Sequence, residues 1–99
     1  MSRPRHYWYG ISRKMICQYP KMDNENSQQE KMWRKAIEDA LDETSKMTNG
    51  ELRIKAINDV LFQQTKTVYG VCQDVFYEER TVRGWLHTFI NMVGQKAGY

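Results

Sequence analysis

At 99 residues, with 40% hydrophobic and 27% charged side chains, the chain is long enough for one modest core and too short for two. A mean hydropathy of -0.78 and the lack of any apolar run near the roughly 18 residues of a membrane span argue against insertion in a membrane. Arginines at the N-terminus with no apolar stretch behind them argue against secretion, so the cytoplasm is the expected location. The net charge of +3 is unevenly spread: residues 1–21 carry five basic and no acidic side chains, residues 22–47 are net -3, and the remainder is net +1. Attraction for phosphate is therefore expected mainly from the N-terminal segment.

Tyr7 to Tyr19 places Trp8, Ile11, Met15 and Ile16 at spacings of three and four, which predicts a basic amphipathic helix stopped by Pro20. Residues 1–21 thus read as a basic, aromatic N-terminal helix in which Arg3, Arg5, Arg13 and Lys14 are candidate phosphate contacts. Trp8 and Tyr9 are read as core-filling aromatics rather than base-stacking ones, because a domain this small needs their volume. Residues 22–29, with Asp23, Asn24, Asn26 and Ser27, read as a polar loop, and residues 30–99 as a helical domain. Its longest helix, Gln29 to Met47, puts Trp33, Ala36, Ile37, Ala40, Leu41 and Thr44 on one stripe and leaves Glu38, Asp39, Asp42 and Glu43 as a solvated face. Thr48-Asn49-Gly50 signals a turn, and a helix opening at Glu51 directs Leu52, Ala56, Ile57, Val60 and Leu61 inward. The predicted fold class is all-α, a small domain of four to five helices.

The most informative stretch is VCQDVFYEERTVRGWL, Val71 to Leu86, which fits a helix-turn-helix at about 67–96. Val71 and Cys72 supply an apolar and then a small residue where the two helices cross, Val75 anchors the end of the first helix, and Thr81, Val82, Leu86 and Phe89 recur inward along the second. Gly70 lowers the helix propensity of the first helix by about 1 kcal/mol relative to alanine, which a close helix crossing would explain. Phe76 and Tyr77 occupy the turn, where many such motifs carry a glycine that takes a positive φ without strain. Glu78 stands at the capping position of the second helix. The exposed side of that helix is expected to show Glu79, Arg80, Arg83, Gly84, His87 and Asn91, with Arg80 and Arg83 best suited to reach guanine edges or phosphates. Trp85, Phe89 and Val93 continue the apolar stripe, and Gly94 and Gly98 are expected to end the helix.

Cys17, Cys72, His6 and His87 lack the local spacing of a zinc site, and both cysteines are read as small buried residues. No Gly-rich phosphate loop, nucleophile elbow or HExxH helix is present, so neither enzymatic chemistry nor a cofactor is expected.

The segment TKTVYGVCQDVFYEERTVRGWLHTFINMVGQKAGY resembles the C-terminal part of phage transcriptional regulators of the RinA/ArpU-like group, whose last domain is similar to the helix-turn-helix of sigma-factor region four. RHYWYGISRKMICQYP resembles the aromatic and basic start of members of that group, and with ELRIKAINDVLFQQT the resemblance covers most of the chain. It implies a phage- or prophage-encoded protein in a bacterial host that acts on late genes, with Arg80, Thr81, Arg83, Gly84 and His87 on the recognition helix. Glu78 replaces a serine frequent in that group, and basic residues frequent near Gly84 and His87 are missing, which implies weak or partner-dependent DNA binding. The expected partner is duplex DNA, with host RNA polymerase as a second candidate and a homo-oligomer left open. A DNA-packaging protein like a small terminase subunit, and a protein-interaction domain contacting RNA polymerase, remain the alternative readings.

Overall fold

The apolar stripes of the sequence become the inner faces of five α-helices in the computed structural model, which describes residues 8–21 and 28–98 and has no strand among them. Helix α1 spans Tyr9–Gln18 and tightens into a 3₁₀ turn over Tyr19–Lys21. Pro20, which lacks an amide hydrogen, sits in that turn. Helix α2 spans Gln28–Ser45 and buries Trp33, Ala36, Ile37, Ala40 and Thr44. On its outer face Arg34–Glu38, Lys35–Asp39 and Lys46–Asp42 form i, i+4 ion pairs, each worth a few tenths of a kcal/mol. Most of the polar loop expected over 22–29 lies outside the described residues.

Helix α3, Gly50–Ile57, follows a turn in which Asn49 adopts the left-handed conformation at φ 60°. A Cβ on the buried Gly50 would lie 2.5 Å from the Ser45 carbonyl oxygen, so this closure admits glycine alone. The helix widens into a π-helical turn over Asn58–Phe62. Helix α4, Val68–Val75, is capped by Thr67, whose Oγ1 accepts from the Gly70 amide at 3.1 Å. Helix α5, Glu79–Lys96, packs against each of the other four helices. Its Val82, Phe89, Ile90 and Val93 are enclosed with Ile16, Trp33, Ile37, Ile57, Leu61 and Val71 in one core.

The structure corrects four expectations. In α1 the buried residues are Trp8, Tyr9, Ser12 and Ile16, while Ile11 is 42% exposed. The stripe is rotated from the one read by hydrophobicity because Ser12 satisfies its hydroxyl internally, donating to the Ile90 carbonyl at 2.8 Å. Gly94 does not end α5 but lies buried within it, under the Trp8 indole, where a Cβ would fall 2.1 Å from ring carbon Cζ3. Helix α5 stops a turn later, where Gly98 takes φ 99°. Gly70 is not at a close crossing, since a Cβ there would meet only Thr67 and Lys66 at 3.7 and 3.8 Å. Cys17 and Cys72 are half-buried free thiols rather than fully enclosed ones. Trp8 and Tyr9, in contrast, are core residues at 6% and 5% exposure, as their volume requires.

Four outcomes follow for stability. Gly94→Ala places a methyl group inside the Trp8 ring and is expected to destabilise by about 1–2 kcal/mol, the overpacking cost less the gain in helix propensity. Gly84→Ala in the same helix meets no atom of another described element within 4 Å and is expected to stabilise by about 0.5–1 kcal/mol; urea unfolding of the pair reads both signs. Phe76 holds φ 61° with its side chain 91% exposed, so Phe76→Gly removes backbone strain without losing packing and is expected to raise the urea midpoint by the equivalent of about 0.5 kcal/mol. The Lys66 ammonium hydrogen-bonded to Asp74 holds that carboxyl below its ordinary range. The contribution of this pair is therefore present above the ordinary carboxylate range and lost as the pH falls through the lowered value. Acid unfolding of Asp74→Asn is expected to lack that part of the pH dependence.

Candidate nucleic-acid interface

Helices α4 and α5 are joined by the three residues Phe76, Tyr77 and Glu78, and local chemistry explains how this turn is held. The Phe76 amide bonds the Cys72 carbonyl at 2.9 Å while its backbone reverses in the left-handed region. Phenylalanine thus occupies the conformation in which glycine is preferred. Tyr77 then lies against Trp85 with ring centroids 5.1 Å apart, and the Arg53 guanidinium sits 5.8 Å from a Trp85 ring centroid. Beneath the turn, Val71 and Val75 of α4 are buried with Val82 and Leu86 of α5. The spacing read as a helix-turn-helix in the sequence therefore forms two helices joined by a short, anchored turn.

Glu78 occupies the N-cap of α5 in extended conformation, and its side chain makes no capping hydrogen bond. The backbone turn of the motif is in place without the hydroxyl that would ordinarily satisfy it. Beyond it, α5 presents Glu79, Arg80, Arg83 and Gly84 to solvent, with His87 half-buried beside them. These five residues line one open concavity of about 550 Å³. Thr81 is half-buried at the edge of this face and Asn91 is likewise half-buried. Among the described residues Arg80 has no acidic partner, whereas Arg83 bonds Glu79 through Nε at 2.9 Å and through Nη2. A Cβ at Gly84 would meet no atom of another described element within 4 Å, which leaves the α5 backbone open to close approach on that side.

Helix α1 borders this face. Trp8 covers Gly94, Ser12 bonds the Ile90 carbonyl, and the Tyr9 hydroxyl is hydrogen-bonded to Nδ1 of His87. As a result Arg13 of α1 and Arg83 and His87 of α5 line a common crevice of about 80 Å³. The fold brings Arg13, Arg80, Arg83, Gly84 and His87 to one side of the molecule. Lys14 is exposed on α1 but does not line the crevice, and Arg3 and Arg5 lie outside the described residues. Tyr9 was placed by sequence reasoning in the core alone. Its polar tip fixes the His87 ring as well, and the signal for this was a phenol on a buried stripe, which needs a hydrogen-bond partner.

Among the described residues no helix is long and apolar enough to cross a membrane, and no three His, Cys, Asp or Glu side chains converge as metal ligands. No protein-family model matches the chain, and no curated protein or solved structure does either.

Proposed function

We propose that this protein binds duplex DNA through α5 and acts as a phage- or prophage-encoded transcriptional regulator of the RinA/ArpU-like kind, working on late genes in a bacterial host. One observation carries the reading: α5, entered through a short anchored turn from α4, exposes Arg80, Arg83 and Gly84 on one face, with half-buried His87 beside them and Arg13 alongside from α1. Such a helix fits the major groove, where an arginine bonds guanine O6 and N7 in a bidentate manner, while flanking basic residues hold the phosphates. Gly84 allows the helix backbone to approach the base edges. Glu79 opposes this attraction, as it neutralises Arg83 in the free protein. An exposed ion pair of this kind contributes at most about 1 kcal/mol, so a guanine or a phosphate can displace it.

A second reading, docking to a protein such as RNA polymerase, is favoured by Tyr69 and Phe76, which are 64% and 91% exposed on α4 and its turn. The two are separated by titrating labelled duplex DNA from the gene's own neighbourhood across a salt series, with an Arg80→Ala/Arg83→Ala double variant in parallel. The expected outcome is binding that weakens steeply with salt and falls at least tenfold in the double variant, about 1.4 kcal/mol or more. Absence of binding at low salt would sink the DNA reading and leave the protein partner in its place.

A further inference from the structure

Where α1 crosses α5, Tyr9 and Arg13 join Arg83 and His87 around the crevice of about 80 Å³, whose other described lining residues are aliphatic. Arg13, Arg83 and His87 border the same space, and no carboxylate is among its described lining residues. Among the described residues Arg13 has no acidic partner. Arg83 gives two of its five N–H donors to one oxygen of Glu79, which leaves three for another acceptor. Like charges gathered beside aliphatic surface are relieved by an anion that both can bond, and arginine pairs are suited to the oxygens of phosphate. The crevice is more than twice the roughly 30 Å³ that a water molecule takes in the liquid, which gives room for a small tetrahedral oxyanion.

We propose that this crevice is a site for a single phosphate group, clamped between Arg13 and Arg83 and ordered by the Tyr9–His87 hydrogen bond. Arg83 and His87 line both the crevice and the larger concavity on α5. A phosphate bound in the crevice therefore lies next to the proposed reading face and sets the angle at which α5 meets a duplex. As a contact to the DNA backbone the site rests on the function proposed above. As a phosphate site it does not, because free phosphate offers the same chemistry.

The test uses the full chain, with Arg13→Gln as the site variant, since Arg13 is exposed and its loss leaves the core intact. Inorganic phosphate is titrated while the His87 imidazole resonances are followed by NMR, and an arbitrary-sequence duplex is then added as competitor. Phosphate is expected to move the His87 signals of the parent chain and not those of Arg13→Gln, and the duplex is expected to displace it. In DNA titrations Arg13→Gln is expected to lower the slope of log K against log salt by about one, with Tyr9→Phe lowering affinity by loosening the imidazole. Phosphate binding that needs Arg13 but is not displaced by duplex would support the site with free phosphate as its ligand and count against the DNA reading. Duplex binding that Arg80→Ala weakens while Arg13→Gln leaves both slope and His87 signals as in the parent would keep the DNA reading and overturn the site.

Discussion

The seating of Trp8 on Gly94 is the constraint on which the placement of the site depends. A flat indole can lie directly on the α5 backbone only where no side chain intervenes, and Gly94 provides that place within an otherwise well-formed helix. Once Trp8 is seated, Ser12 is aligned with the Ile90 carbonyl and Tyr9 with His87, so a single close contact fixes the register of two helices far apart in sequence. Arg13 is carried with them to the flank of α5. The core of α2, α3 and α5 supplies burial, but this crossing decides which charges become neighbours.

The fold class and most element positions were legible because they rest on helical periodicity. The α2 stripe from Trp33 to Thr44 and the α5 stripe through Val82, Phe89 and Val93 repeat at three and four residues, and tertiary packing had only to bury what was already sorted. The α4–α5 turn was legible for the same reason, as Val71, Val75 and Val82 mark both sides of it. What escaped the sequence were the pairings across the chain. Ser12 reads as a surface residue until the Ile90 carbonyl is beside it, and Gly94 reads as a helix terminator until the Trp8 ring is above it. The partnership of Tyr9 with His87, and the convergence of Arg13 with Arg83, are properties of the α1–α5 crossing and have no local signature.

The exposed face of α5 combines attraction with restraint. Arg80 stands ready for an acceptor, while Arg83 is occupied by a carboxylate one turn away. Glu78 adds a second acidic group at the positive end of the helix. A surface organised in this way has a modest general pull on phosphate, and it rewards a partner that satisfies Arg83 better than Glu79 does. Discrimination is then built into the competition for one guanidinium rather than into the sum of positive charge.

The distance in sequence between Trp8 and its seat has a consequence for biosynthesis. Trp8 rests on Gly94, 86 residues further along the chain, and loop closure over such a span precedes any gain from the contact. During vectorial translation α1 can meet the Asn58–Phe62 turn first, but its seat on Gly94 and the Ile90 carbonyl has not yet been synthesised. Trp8 and Tyr9 therefore lack their α5 partners until α5 leaves the ribosome. The joining of α1 to α5 is the step that both completes the core and assembles the cationic flank, so an incompletely synthesised chain has neither.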